Sequence, residues 1–401
     1  MTEKYRKFRN ITSNKLSKNW IFYHPADWEM WAAAMSSVHR LLVYVLWLSH
    51  MGNGAAAKSR SLQVRAAKKH NTTEQLSQDS DVSFPDYVYN RLLYFSKACG
   101  VSSCISGGRV QRDKSLYEGG CPATIEFCHN EEINPTVRYT RIALVLQAEK
   151  GELGTGYVMV DHDSEVITMT FRSSTTTQDW MSNLMALPID YSPVCEKEYR
   201  RMIKEGEIKE CVGCKMHRGF HRFTETLGRS FLRKIEGILE AYPEFQVVSV
   251  GHSLGAALAV IAGIELRLRG YQPLVLAYAP PRIFNNNMKD WVDDLFGTAA
   301  IHESIMEAGE VDLDHGYFRI VHKQDYVPSM PPFYHIAGLE IFINKGKLPH
   351  LASDLEYIGP NEDILTKYGM KRIFTRKRFE KLTHTYQHRE YFIDLGGCSG
   401  F

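Results

Sequence analysis

A run of β-branched residues passes within a few positions into an alanine-rich helical pattern, and this transition constrains the fold most. Residues 246–270 read QVVSVGHSLGAALAVIAGIELRLRG. The valines have the composition of a buried strand. From Leu254 onward, apolar residues recur at helical spacing and Gly270 is a suitable stop. The segment therefore predicts a strand that turns directly into a helix.

The pentapeptide Gly-His-Ser-Leu-Gly, residues 251–255, lies at that turn. A strand that becomes a helix so abruptly needs strained dihedral angles at its apex and neighbours without side-chain bulk, which Gly251 and Gly255 provide. The apex residue, Ser253, then projects its side chain clear of the sheet. The spacing predicts a nucleophile elbow with Ser253 as the nucleophile.

The rest of the chain alternates between strand and helix patterns. We predict an amphipathic helix over 220–241, two less regular segments at 285–316 and 345–381, and strands at 141–147, 157–160, 166–172, 273–278, 318–321, 339–343 and 390–395. Alternation on this scale favours a mostly parallel sheet with helices on both faces. We interpret the basic stretch 371–381 as solvated surface, with a patch that binds lipid headgroups as the alternative.

Charge is nearly balanced over the 401 residues, with 48 Lys and Arg against 46 Asp and Glu. A balanced net charge gives no electrostatic reason to expect nucleic-acid binding. Residues 84–401 are long enough for one large α/β domain, which we expect to begin near Pro85 as the first residue of a helix.

The N-terminal part has three sections. Residues 1–34 are basic and without period, and residues 35–57 contain the apolar run LLVYVLWL followed by Ala-Ala-Ala. The second section predicts either a signal peptide cleaved after Ala57, with translation effectively starting at Met35, or an uncleaved signal anchor over 28–48. Residues 58–83 are polar and predict a linker or pro-segment, with a glycosylation sequon at Asn71.

A serine nucleophile needs a base oriented by a carboxylate, and in this fold both follow the serine along the chain. Asp325 follows an apolar strand by a short loop, which is where such sheets place functional groups. Four histidines come after it: His335, His350, His384 and His388. The local pattern does not separate His384 from His388, since both precede the last predicted strand.

Several motifs occur in an order typical of one family. They are FRSSTTTQDW (171–180), MHRGF (216–220), VGHSLGAA (250–257), APPRIFN (279–285), RIVHKQDYVPSMPP (319–332) and HREYFIDLGGC (388–398). From about Tyr94 to Cys398 the chain resembles the filamentous-fungal triacylglycerol lipases, the class 3 branch of the α/β hydrolases. The resemblance implies the α/β-hydrolase fold with a short helical lid.

The same resemblance implies roles for particular residues. Ser253 would be the nucleophile, Asp325 the orienting acid and His388 the general base, and the backbone N–H groups of Leu254 and Ser174 would form the oxyanion hole. It places His335 at a structural position. Two residues depart from the usual glycines: Ser173, beside the oxyanion position, and Ala256 in the elbow helix.

We therefore expect a secreted, monomeric serine lipase that cleaves glycerolipid esters at a lipid–water interface through an acyl-serine intermediate. It would need no metal or organic cofactor and would bind no nucleic acid. The alternatives are a phospholipase or soluble-ester carboxylesterase on the same fold, and a lipase-like lipid-binding protein without turnover.

The eight cysteines are even in number, as in many oxidised secreted proteins. Cys211 and Cys214 have the spacing of half a zinc site or of a redox pair, but no second close pair of this spacing follows. The resemblance implies three disulfides, and Cys99 and Cys195 would then either pair or stay free. The three bridges are Cys104–Cys398, Cys121–Cys128 and Cys211–Cys214.

Residues 175–187, TTTQDWMSNLMAL, directly follow the oxyanion residue. Their threonines can cap a short helix that Pro188 ends. An ordinary core-packed turn is one interpretation. The resemblance instead implies a mobile lid whose apolar residues cover Ser253 in water and turn toward lipid when open. Those residues are Trp180, Met181, Leu184, Met185 and Leu187.

Overall fold

An eight-stranded sheet forms the centre of the described part of the chain. The computed structural model describes residues 82–150, 152–173, 187–323, 325–360 and 386–398. The strands are β1 Thr140–Leu146, β2 Gly156–Asp161, β3 Val166–Phe171, β4 Pro188–Asp190, β5 Lys215–His217, β6 Gln246–His252, β7 Leu274–Tyr278, β8 Gly316–His322, β9 Leu339–Ile343, β10 Leu355–Pro360, β11 Glu390–Tyr391 and β12 Ile393–Asp394. The large sheet has the order β1-β2-β3-β6-β7-β8-β9-β10, and β4-β5 and β11-β12 form small two-stranded sheets.

The five central strands of the large sheet, β3, β6, β7, β8 and β9, run parallel, and the outer pairs are antiparallel. The sheet is therefore mostly parallel, as predicted. Carboxyl ends of parallel strands lie at one edge, so β6, β7 and β8 bring the residues that follow them to the same side.

Helices cover both faces of this sheet. They are α1 Asp86–Ser102, α2 Glu196–Glu205, α3 Arg218–Thr226, α4 Leu232–Ala241, α5 Leu254–Arg267, α6 Asn286–Phe296 and α7 Thr298–Ala308. Within β6, Val247 packs in the core layer that contains α5, whereas Val248 and Val250 pack in the layer that contains α1. Successive residues of a strand thus enter opposite layers, which explains its unbroken apolar run.

Most predicted elements form, within one or two residues of the expected ends. The helix predicted over 220–241 is α3 and α4, joined by a π-helical turn at Leu227–Phe231. Pro85 is the residue before α1 and not its first residue. The segments predicted to be less regular contain α6, α7 and β10.

One strand prediction is wrong. Residues 390–395 do not form a single strand but the hairpin β11–β12, in which Tyr391 pairs with Ile393. Phe392, between them, has a φ of 65°, which reverses the chain. The composition of this segment gave no turn residue to signal the reversal.

Several predictions lie outside the described residues. They concern the segments 1–34, 35–57 and 58–81, the sequon at Asn71, residues 174–186 and the basic stretch 371–381. Among the residues that the structure does describe, no helix has both the length and the apolar character needed to cross a membrane.

Candidate active site

Ser253 occupies a strained turn between β6 and α5. Its backbone has φ 56° and ψ −123°, a conformation that residues with side chains rarely adopt. A Cβ atom on Gly251 would lie 2.2 Å from the carbonyl oxygen of Gly255, and one on Gly255 would lie 2.2 Å from that of Phe171. Both glycines are therefore required by close backbone contacts, and the predicted elbow is present.

His388, which is distant in sequence, contacts the Ser253 side chain, and Asp325 contacts the other side of the His388 ring. The Nε2 atom of His388 lies 2.8 Å from Ser253 Oγ, and its Nδ1 atom lies 3.0 Å and 3.2 Å from the two carboxylate oxygens of Asp325. All three residues are buried. Because the carboxylate accepts a hydrogen bond from Nδ1–H, the lone pair of Nε2 faces the serine hydroxyl.

Asp325 is held by two further donors. The Tyr391 hydroxyl donates to Oδ2 at 2.6 Å, and the Val327 N–H donates to Oδ1 at 3.0 Å. Burial by itself disfavours the ionised carboxyl. The adjacent His388 and the three hydrogen bonds outweigh burial and lower the pKa of Asp325, so the group is a carboxylate at neutral pH.

His252, beside the serine in the pentapeptide, contacts His388 directly. Its Nε2 atom lies 2.7 Å from the His388 carbonyl oxygen, and the two rings lie 4.8 Å apart. Burial, with a smaller contribution from His388, lowers the pKa of His252 to about 3. The ring is therefore neutral, and its Nε2–H donates to the backbone of His388.

The sequence interpretation missed these supporting roles of His252 and Tyr391. Any residue can stand beside the serine of such a pentapeptide, and a tyrosine near the end of the chain carries no local signal. The family resemblance indicated His388 as the partner of Ser253 and Asp325, whereas the contacts of Tyr391 and His252 are seen only in the structure.

The sequence profile described as "Lipase (class 3)" matches residues 168–335. A Saccharomyces cerevisiae protein named "Putative lipase LIH1" is 53% identical over 321 residues, which are 80% of this chain and 98% of that protein. The chain belongs to the class 3 lipase family. As such it is a carboxylic ester hydrolase of the lipase type, and the resemblance found in the sequence is confirmed.

More distant relatives agree with this assignment. The "Secreted mono- and diacylglycerol lipase 2" of Gibberella zeae is 24% identical over 287 residues, covering 61% of this class 3 lipase and 68% of the relative. The crystal structure of the Lip2 lipase from Yarrowia lipolytica superposes with a TM-score of 0.61 at 21% identity, over 79% of this chain and 97% of that one. This likeness confirms the α/β-hydrolase fold.

The predicted oxyanion residues and the other three histidines that follow Asp325 were also candidates. Leu254 is the first residue of α5, whereas Ser174, the other predicted oxyanion residue, lies outside the described part. His335 is exposed and pairs with Phe284 through an isolated β-bridge. His350 is buried beside the C-terminal hairpin, and His384 is not described.

Of the predicted lid residues, only Leu187 falls within the described part of this class 3 lipase. It precedes β4 and its side chain is 80% exposed. The other four are Trp180, Met181, Leu184 and Met185, which belong to 174–186 and are not described.

The three disulfides implied by the resemblance are present in the structure. Cys104 bonds to Cys398 across 294 residues, and the pairs Cys121–Cys128 and Cys211–Cys214 close short loops. Cys211 and Cys214 are therefore not zinc ligands. Cys99 and Cys195 are buried free thiols, and burial raises the pKa of both.

Proposed function

We propose that this class 3 lipase hydrolyses carboxylic esters of glycerolipids, triacylglycerols among them, through an acyl intermediate on Ser253. The continuous hydrogen-bonded series Ser253–His388–Asp325 carries the proposal. It combines a hydroxyl, an imidazole with a free lone pair toward that hydroxyl, and a buried carboxylate.

In the first half-reaction, His388 Nε2 accepts the Ser253 hydroxyl proton as Oγ attacks the ester carbonyl carbon. The tetrahedral intermediate collapses when the imidazolium returns the proton to the departing glyceryl oxygen. In the second half, His388 takes a proton from water, which attacks the acyl carbon. Collapse returns that proton to Ser253 Oγ and releases the fatty acid. Asp325 stays ionised and stabilises the imidazolium.

The negative charge that develops on the ester carbonyl oxygen in the tetrahedral intermediate requires hydrogen-bond donors. The N–H of Leu254 belongs to the first turn of α5, where backbone donors lack intrahelical acceptors and the helix dipole favours an anion. We assign Leu254 and Ser174 as the two oxyanion donors.

A fluorophosphonate probe tests the nucleophile. We expect the parent enzyme to form one adduct on Ser253, and Ser253→Ala to lose both labelling and ester hydrolysis with its thermal unfolding unchanged. Ser249→Ala, in the same strand, is the matched control and should keep both labelling and hydrolysis, since the Ser249 hydroxyl donates to the Ala259 carbonyl and not to His388. Labelling that survives in Ser253→Ala would exclude the proposed mechanism.

Histidine substitutions test the base. His388→Ala should cost about as much activity as Ser253→Ala, because members of such a unit act together. His335→Ala, another histidine downstream of Asp325, should leave hydrolysis unchanged. If His384→Ala abolishes hydrolysis while His388→Ala spares it, the general base is His384 and not His388.

We propose that residues 175–187 act as a lid, supported by their position directly after Ser174, the assigned oxyanion residue, and by the exposed Leu187 at their end. Trp180→Ser should then depress hydrolysis of emulsified triacylglycerol more than hydrolysis of a soluble short-chain ester. Equal losses on the two substrates would indicate a core-packed helix instead.

A substrate panel separates the ester classes. Emulsified triacylglycerols, mono- and diacylglycerols, phospholipids and soluble short-chain esters should be compared at equal enzyme concentration. We expect the glycerides to be preferred, and a preference for phospholipid would favour the phospholipase alternative. Probe labelling without turnover on any ester would favour the lipid-binding alternative.

We also propose that the chain enters the secretory route. Three disulfides and the secreted fungal relatives support this, since such bridges persist in oxidising compartments. Sequencing the N-terminus of the mature protein tests cleavage after Ala57, and a mature chain that retains residues before Lys58 would contradict it.

A further inference from the structure

The hairpin that follows His388 contains a strained residue. Tyr391 of β11 pairs with Ile393 of β12, so Phe392 alone makes the turn, with a φ of 65°. For a bulky side chain this left-handed conformation is strained, because Cβ comes too close to the backbone. Such a turn persists only where its surroundings hold it in place.

His350 holds this turn from a distant part of the chain. The Phe392 N–H donates to His350 Nδ1 at 3.1 Å, and the Phe392 ring packs edge-on against the imidazole at 6.1 Å. His350 is itself fixed, because its side chain is buried and its carbonyl accepts from the Tyr89 hydroxyl of α1 at 2.8 Å.

The contacts determine which nitrogen of His350 carries the proton. Because Nδ1 accepts from Phe392, the neutral ring bears its proton on Nε2, which lies 3.2 Å from His322 Nε2. His322 must therefore accept through that atom. Burial, with a smaller effect from His322, lowers the pKa of His350 to about 4, so Nδ1 remains an acceptor at neutral pH.

The same hairpin is bonded to the proposed catalytic residues. The hydroxyl of Tyr391, next to Phe392, donates to the Asp325 carboxylate and accepts from the backbone N–H of His322 at 3.1 Å. His388 precedes Tyr391 by three residues. A displacement of the Phe392 turn would therefore move the donor to Asp325 and the backbone that carries His388.

We propose that His350 is a positioning residue for ester hydrolysis: by accepting the Phe392 N–H it holds the strained turn that places Tyr391 and His388 against Asp325. The proposal rests on the proposed function, because it concerns the geometry of that reaction. His350 acts through the hairpin and takes no part in proton transfer. Shifts of about 1 Å in such a group can reduce turnover up to a hundredfold.

Two substitutions of His350 form a matched pair. In His350→Asn the side-chain amide oxygen can occupy the place of Nδ1 and accept from Phe392, whereas in His350→Gln the longer amide reaches the place of Nε2. With a soluble p-nitrophenyl ester, we expect His350→Gln to lower kcat on the order of tenfold with KM within about twofold, and His350→Asn to stay within about threefold of the parent. Equal kcat values for the two variants would overturn the proposal.

Fluorophosphonate titration separates this proposal from the proposed function. If the parent enzyme is not labelled at Ser253, the proposed function fails. If the parent is labelled and His350→Gln reacts as fast as the parent, only the role of His350 fails. A loss of thermal stability in His350→Gln without loss of kcat would show a structural role and would also overturn the proposal.

A second measurement applies if His350→Gln does not fold. Selective ¹⁵N-histidine labelling of the parent enzyme, with the His350 signals identified by their absence in His350→Asn, reports the tautomer directly. We expect the proton on Nε2 and an unprotonated, hydrogen-bonded Nδ1. A proton on Nδ1 would show that the Phe392 N–H has no acceptor there and would refute the mechanism.

Discussion

The Tyr391 hydroxyl makes two buried hydrogen bonds, and Tyr391→Phe removes both without changing the ring. One is donated to the Asp325 carboxylate, and hydrogen bonds to charged groups contribute about 1.5–3 kcal/mol. The other is accepted from the His322 N–H, and a buried donor left without a partner costs about 1–3 kcal/mol. We expect the free energy of unfolding to fall by about 3–5 kcal/mol.

Turnover should fall as well. Asp325 would keep bonds from His388 and Val327 but lose one of the two donors to Oδ2, so the carboxylate would hold the imidazole less rigidly. We expect kcat for a soluble ester to drop on the order of tenfold. The lost bond favours the ionised form, so the pKa of Asp325 should rise toward its unfolded-state value. The stability that this carboxylate contributes at neutral pH, and that acid removes, should therefore be smaller in the variant.

Tyr157→Phe is the control. Tyr157 is also fully buried, and its hydroxyl donates to the uncharged carbonyl of Ala98 at 2.8 Å, far along the chain from the site. It should lose about 1 kcal/mol of stability and no activity. Thermal unfolding and initial rates of both variants are the measurements. A Tyr391→Phe enzyme with the kcat of Tyr157→Phe would refute an orienting role for Tyr391.

Three further predictions follow from the same structure. Gly255→Ala would place a Cβ 2.2 Å from a backbone oxygen and should destabilise the protein by about 1–3 kcal/mol or prevent folding. Its control is Gly237→Ala in α4, where a Cβ meets nothing within 4 Å, and this variant should be more stable by about 0.5–1 kcal/mol in thermal unfolding. In the folded protein the pKa of His252 is lowered to about 3 and that of His350 to about 4, so below about pH 6.5 the unfolded chain binds more protons than the folded one. The free energy of unfolding should therefore decrease by about 3 kcal/mol for each histidine between about pH 6.5 and pH 4. A melting temperature that stays constant from about pH 7 to 4.5 would contradict this. Replacing Cys104 and Cys398 by Ser opens a loop of 294 residues and should cost about 5 kcal/mol in denaturant unfolding, and an unchanged midpoint would exclude that contribution.

The sequence alone indicated the elbow because every interaction that defines it is local. Gly251, Ser253 and Gly255 lie within five residues, and the strand and helix on either side have clear periodicity. The strands of the parallel sheet were likewise predicted, since strands buried on both faces read as continuous apolar runs. The loop after a predicted strand indicated Asp325. Family motifs then pointed to His388, which the local pattern did not separate from His384.

The turn at Phe392 shows what the sequence did not determine. A run of apolar and aromatic residues from 390 to 395 predicts a strand, and the reversal within it is imposed by contacts from Tyr89 of α1 and from His350. The contacts of Tyr391 with Asp325 and of His252 with His388 span 66 and 136 residues. Local propensity carries no information about partners that distant. The elbow thus follows from sequence because its constraints are steric and local, whereas the orientation of its base and acid depends on tertiary packing, which brings separate segments within hydrogen-bond distance.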